Sequence, residues 1–393
     1  MENFIYNIKT KAYFGKGQIE NLGQILEQYG KKVLFVYGQG SIQKNGIYDK
    51  VIEIAKKHNL ELVEFGGVEP NPLLSTARRG IELARAQQVD CILAAGGGSA
   101  VDCAKAIGAG VKYNGDVWDF FCYKTAAQDS LPVVGIVTLA ASGTEMSPYS
   151  VLTNEETTQK NGMMADSIRL NEAILDPTYT FSVNAFHSAC GVADAMSHVM
   201  EGYFSNSSEY LQDRMCEAVL QTLIHYGPKI LENPENYEAR AQIFWASTIA
   251  LNGMLRYGLQ PFWSECHIMS MPLSAKYDTT HGASLALLSV KWYEFCRKNH
   301  KSGNNAGKFA TFGRNVWGLS GSDEEVAAQG IKALERFFFD TLKLPGTLRA
   351  LGSDVEKKDM KEFAETIARE RNSKHWYVPA TAEDIEGIYN AIR

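Results

Sequence analysis

The rhythm of hydrophobic and polar positions changes once along the chain, near residue 180. Before it, short apolar runs rich in β-branched residues alternate with amphipathic stretches. The runs are KVLFVYG (32–38), ELVEFGG (61–67), CILAAGGG (91–98) and VVGIVTLA (133–140), and NPLLSTARRGIELARAQ (71–87) is one of the stretches between them. Strand, helix, strand at this spacing predicts a doubly wound parallel sheet. Beyond about 181 such runs stop. EYLQDRMCEAVLQTLIHYG, ARAQIFWASTIALNGML and EEVAAQGIKALERFFFDTLKL place apolar residues at helical spacing and predict an all-α region. The expected organisation is an α/β dinucleotide-binding domain over 1–180 and a helical domain over 181–393.

Composition agrees with two domains, because 393 residues at 45% hydrophobic content exceed what one core usually serves. The net charge of -6, with both signs mixed along the chain, offers no basic stripe for nucleic acid or for a membrane surface. The start, MENFIYNIKTK, has no basic region followed by an apolar one, and no run approaches the ~20 apolar residues that span a bilayer. The seven cysteines are scattered, with no C-x-x-C, as suits reduced thiols. A cytoplasmic protein is expected.

Candidate chemistry in the first half centres on AAGGGSAVDCAK, Ala94 to Lys105. Gly96, Gly97, Gly98 and Ser99, after a strand and at the start of a helix, let backbone N–H groups approach a pyrophosphate; a tight strand-to-helix turn would use the same residues. Asp102 and Lys105 on the following helix are either an ordinary pair or reach toward the ribose. A second glycine turn, YGQGSIQKNG (37–46), offers Gly38, Gln39, Gly40 and Ser41, with Lys44 close behind and no acid at the strand tip, so a 2'-phosphate would not be repelled. TLAASGTEMS, with Thr138, Leu139, Ser142 and Ser147, is a hydroxyl-rich turn suited to hydrogen bonds with a cofactor. Lys160 lies in a polar, hairpin-like stretch.

In the second half, CGVADAMSHVM (190–200) sets Asp194 and His198 four apart, on one face of a helix that is otherwise small and apolar. Such a pair is either a local ion pair or half of a metal site. WSECHIMSMPLSAKYDTTHG adds His267 and His281, which Pro272 and the cap-like DTTHG assign to two elements rather than one. One carboxylate and three imidazoles suit Fe(II) or Zn(II), and suit Mg(II) or Ca(II) poorly.

Taken together, VEPNP, GGGSAVDCAK, SGTEMS, DAMSH and a histidine ahead of HG resemble the iron-containing (group III) alcohol dehydrogenases, in the butanol-dehydrogenase-like branch. The resemblance covers essentially the whole chain. It implies a dehydroquinate-synthase-like architecture, usually a homodimer, with Asp194, His198, His267 and His281 as metal ligands through which catalysis runs. It also implies cofactor contacts at Gly38, Asn71, Gly97, Gly98, Ser99, Thr138, Ser142, Ser147 and Lys160. Glycine at 38, where some relatives carry an NAD-selecting aspartate, resembles the NADP-using members. The expected reaction is hydride transfer between NADP(H) and a small aldehyde or alcohol at an Fe(II) centre, with Zn(II) as the alternative ion. Many relatives read H-x-x-x-H where this chain reads HIMSM, so Met271 replaces a histidine of the usual proton route. Two other readings are a dehydroquinate-synthase-like lyase, for which basic residues near the metal are expected, and a non-catalytic metal and nucleotide binder.

Overall fold

The computed structural model describes residues 1–207, 209–300 and 307–393. The first half contains strands β1 (Lys11–Phe14), β2 (Lys32–Gly38), β3 (Glu61–Val68), β4 (Cys91–Gly96), β5 (Val133–Val137), β6 (Tyr149–Asn154), β7 (Gln159–Met164) and β8 (Glu172–Leu175). Between them run helices α1 (Leu22–Glu27), α2 (Ser41–Lys44), α3 (Ile47–Lys57), α4 (Leu74–Gln87), α5 (Gly98–Val111) and α6 (Trp118–Phe121). Six strands form one sheet in the order β1-β8-β5-β4-β2-β3, every pairing parallel, while β6 and β7 form a separate antiparallel hairpin.

The central strands are buried on both faces, which is why β2, β4 and β5 read as apolar runs, while the edge strands β1 and β3 are only partly covered. Leu34, Val36, Ile92 and Ala94 pack on one side with α4 and α5, whereas Val33, Phe35, Cys91 and Leu93 pack on the other with α1 and α3. The strand order reverses between β2 and β4, since β3 lies outward of β2 and β5 lies outward of β4. The carboxyl ends beside that reversal are in register, with Tyr37 opposite Ala95 and Gly96 opposite Val137. Open α/β sheets bind their ligands at this place.

The second half is helical among the described residues: α7 (Ala185–Tyr203), α8 (Tyr210–Glu232), α9 (Tyr237–Leu251), α10 (Glu265–Tyr277), α11 (His281–Asn299), α12 (Lys308–Trp317), α13 (Asp323–Arg336), α14 (Lys357–Glu370) and α15 (Ala382–Ile392). The expected fold class, a parallel α/β half followed by an all-α half, is the one observed. Two segments depart from a simple division at 180. Residues 234–248 belong to the α/β unit and residues 1–6 to the helical one. Aromatic packing explains the first, because Phe244 joins the sheet core and Phe14 meets the rings of Phe244 and Trp245. The amide of Glu2 bonds the carbonyl of Gly258 at 2.8 Å, which ties down the second.

Pro272 does not end a helix, contrary to its expected role. It lies inside α10, and the break between the two histidine-bearing elements comes at Asp278, which adopts a left-handed conformation (φ 49°).

Candidate active site

Helix α7 is buried from Ser188 through Tyr203. Asp194 and His198, four apart, project from one of its faces; His267 comes from the first turn of α10, and His281 is the first residue of α11. Gly282 makes this approach of α11 to α7 feasible, because a Cβ at that position would lie 2.2 Å from the carbonyl oxygen of Cys190.

The Nε2 atoms of His198, His267 and His281 lie 3.6, 3.7 and 3.9 Å from a single oxygen, Oδ1 of Asp194. Asp194, His267 and His281 offer ligand atoms that all fall within 4.8 Å of one another. Such spacings are long for hydrogen bonds and suit neighbouring ligands held about 2 Å from a common ion. Two of the atoms, Asp194 Oδ1 and His267 Nε2, are buried with no hydrogen-bond partner among the described residues. Leaving such groups desolvated and unpaired is costly, and a cation satisfies both. The residues therefore fit a metal ion, and a one-carboxylate, three-imidazole set fits iron or zinc.

Residues behind these four orient them. His267 Nδ1 lies 2.8 Å from Glu201 Oε2, and the His267 amide donates to Glu201 Oε1 at 3.1 Å. A carboxylate only accepts, so Nδ1 carries a proton, and Nε2 is the nitrogen left for an ion once its own proton is released. Ser270 donates its hydroxyl to the carbonyl of His267 at 2.9 Å, which leaves its oxygen to accept from His281 Nδ1 at 3.2 Å. Burial holds His198 well below the ordinary histidine range. Burial acts in the same direction on His267, but the Glu201 and Asp194 carboxylates outweigh it and lift that imidazole to about 9.

The predicted cofactor residues gather around the turn that follows β4. Gly96 has φ 151°, a region that favours glycine, and Gly97 caps α5. A Cβ on Gly97 would touch Leu139 at 3.5 Å, and one on Gly98 would sit 2.8 Å from Ser142 Oγ. Thr138 is bound to this turn through its amide and the carbonyl of Gly96, at 2.9 Å. Ser99 donates to the carbonyl of Pro70, and Lys160, carried in by β7, donates to Asn71 Oδ1 at 2.8 Å. Gly38 pairs with Val68 at the tip of β2, and exposed Ser41 opens α2. Two predicted residues face inward instead. Asp102 gives one oxygen to the Thr144 hydroxyl at 2.6 Å and the other to the Val151 amide at 3.0 Å, and Ser147 is 1% exposed.

The tip of β2 is less free of acid than its own residues indicate. Glu69, one position past the partner of Gly38, is partly buried there and accepts from Thr76 at 3.0 Å. Glu201, Ser270 and Gly282 are further residues that sequence reading missed. Only Glu201 had a signal, falling seven positions after Asp194 on the same helical face.

The family profile described as "Iron-containing alcohol dehydrogenase" matches residues 9–177, and that of "Fe-containing alcohol dehydrogenase family, C-terminal" matches 188–393. The chain belongs to the iron-containing alcohol dehydrogenase family. It is 42% identical over 393 residues to NADH-dependent butanol dehydrogenase A of Clostridium acetobutylicum, covering 99% of each chain. It is 34% identical over 360 residues to an NADPH-dependent aldehyde reductase of Escherichia coli, covering 90% of each. Among solved structures, NADH-dependent butanol dehydrogenase A of Thermotoga maritima superposes with a TM-score of 0.93 at 35% identity, covering 100% of this chain and 99% of the other. As a member of this family, the chain is an alcohol and aldehyde oxidoreductase.

Proposed function

We propose that this iron-containing alcohol dehydrogenase reduces small aldehydes to primary alcohols with NADPH, and runs in reverse with NADP, at a centre held by Asp194, His198, His267 and His281. The observation that carries the reading is the convergence of three imidazole nitrogens on a buried Asp194 oxygen that has no hydrogen-bond partner among the described residues. A ferrous ion, or zinc in its place, supplies Lewis-acid polarisation of the carbonyl oxygen when bound.

The protein's own part is to bind, orient and move a proton. Glu201 and Ser270 keep Nε2 of His267 and His281 turned toward Asp194. The turn Gly96–Ser99 at the start of α5 presents backbone N–H groups to a pyrophosphate, and Thr138, Leu139, Ser142, Asn71 and Lys160 surround it. Hydride transfer requires the nicotinamide carbon within about 3–3.5 Å of the carbonyl carbon, with water excluded. Met271, one turn after His267 on α10, neither donates nor accepts a proton, so the product oxygen takes its proton from water, a cofactor hydroxyl or another side chain.

The preference for NADPH rests on Gly38 with Lys44 close behind it, and Glu69, just past the end of the adjoining strand, argues against it. The reading also includes a cytoplasmic homodimer. All seven cysteines are unpaired, as in a reducing compartment, and none of the described helices is long and apolar enough to cross a membrane. An aldehyde panel run with NADPH and with NADH, on protein loaded with iron or zinc, tests the whole reading. Turnover with NADPH is expected; no turnover with any aldehyde or cofactor would favour a binding protein.

A further inference from the structure

Lys105, at the start of the third turn of α5, is fully buried. Its ammonium donates to the backbone carbonyls of Thr144 at 2.5 Å, Ser147 at 3.0 Å and Tyr149 at 2.8 Å, and reaches the Thr144 hydroxyl at 3.1 Å. The segment from Thr144 to Pro148 has no helix or strand of its own before β6 begins at Tyr149, so the carbonyls of Thr144 and Ser147 lack the partners that secondary structure would supply. Asp102, one turn earlier, holds the start of this segment through the Thr144 hydroxyl and the strand after it through the Val151 amide, while its own carbonyl accepts from Ser150 at 2.8 Å. The two residues that read in sequence as an ordinary pair are therefore two anchors for one loop.

An uncompensated buried ammonium costs several kcal/mol, and a hydrophobic side chain would fill the same space without that cost. Three carbonyls pointing inward at one cation fix the backbone of a loop that packing alone would leave under-determined. The anchored helix also opens with the glycine turn, so the same ammonium sets the distance between Gly96–Ser99 and the hydroxyl-rich loop: Ser142 Oγ lies 2.8 Å from where a Gly98 Cβ would be.

We propose that Lys105 is a positioning residue for the dinucleotide, a tethered cation that holds the 142–149 loop against the glycine turn and thereby sets cofactor affinity. This rests on the reading that the turn binds a nicotinamide dinucleotide. Lys105 touches no cofactor itself, so its removal should weaken the cofactor and leave the metal centre alone.

The test is binding of NADPH to the full-length protein, followed by nucleotide fluorescence without aldehyde, for the parent, Lys105→Met and Thr144→Val. Metal content and steady-state constants are measured alongside. Lys105→Met is expected to weaken NADPH about tenfold or more, as loss of several charge-assisted hydrogen bonds implies. Thr144→Val should weaken it less, with the KM for aldehyde and the metal content unchanged in both. In Lys105→Ala, added ethylammonium should restore part of the affinity. Parent-like NADPH binding by Lys105→Met overturns the proposal; if that variant fails to fold, parent-like binding by Thr144→Val does so. A parent protein that binds neither NADPH nor NADH overturns the dinucleotide reading and this inference with it.

Discussion

A single carboxylate oxygen, Asp194 Oδ1, is the point on which three imidazoles converge, and its neighbours give the site a definite proton inventory. His267 is raised to about 9 by Glu201 and Asp194, against the pull of burial, so near neutrality it holds a proton on the nitrogen that an ion needs. Ion and proton compete there. Apparent zinc affinity should therefore rise with pH up to about 9, roughly tenfold per unit for the one proton released, and then level off. Zinc titrations between pH 6 and 9 read this directly, and a flat profile would contradict the assigned role of Glu201. In Glu201→Gln the slope should shrink, and affinity at neutral pH should fall about 10- to 100-fold, as for other partners of metal-bound histidines. Met271 has the opposite character. With no histidine there, the pH–rate profile of aldehyde reduction should lack a step near the usual histidine value of about 6.5. Met271→His should introduce one and speed reduction, whereas a slower variant with raised aldehyde KM would mean that Met271 only packs the pocket wall. The shared helix face of Asp194 and His198 was legible in the sequence because helical periodicity is a local fact, whereas their grouping with His267 and His281 came from residue chemistry and the family resemblance. Ser270 was not legible, since its value depends on where His281 arrives after a chain reversal.

At the scale of elements, the same contrast separates what sequence rhythm reveals from what packing decides. Strands β2, β4 and β5 announce themselves because burial on both faces makes them apolar runs, whereas the edge strand β3 shows alternation broken by Glu61 and Glu64. Strands β1 and β8, only four residues each, carry too short a run to stand out, although β8 lies inside the sheet between β1 and β5. The β6–β7 hairpin is mostly polar and showed only its turn. Pro272 misled because a proline within a helix is tolerated when the surrounding packing holds the turn, and the actual break falls at Asp278. Gly282 carries a stronger consequence than its sequence context indicates. Gly282→Ala places a methyl group 2.2 Å from a backbone oxygen that cannot rotate away, so α11 must shift and take His281 with it. The expected result is a loss of about 1–3 kcal/mol of stability with a large fall in metal content, while NADPH binding by the α/β unit persists. Thermal melts and elemental analysis check it; a fully metallated, parent-like Gly282→Ala would show that the site tolerates movement of α11.

For the whole molecule, one unit carries the glycine turns and hydroxyls proposed to hold a dinucleotide, and the other carries the four side chains proposed to hold an ion. Composition and rhythm divide the chain near residue 180 and so assign residues 234–248 to the helical half, because helical spacing does not reveal that this helix packs with the α/β unit. Cofactor choice belongs to this scale, since it depends on two adjoining strands. Gly38 puts no carboxylate at the tip of β2, while Glu69, just past the end of β3, is tied to Thr76. The ratio of kcat/KM for NADPH and NADH should favour NADPH in the parent and move toward NADH in Gly38→Asp, where a new carboxylate repels the phosphate. A parent ratio favouring NADH would assign the decisive charge to Glu69. The central claim is that Asp194, His198, His267 and His281 hold one catalytic ion. Elemental analysis of the purified parent, Asp194→Ala and His281→Ala, with aldehyde reduction measured on the same samples, tests it most directly. The account predicts about one iron or zinc per chain in the parent, and loss of both metal and activity in each variant. Full metal content in both variants would contradict it.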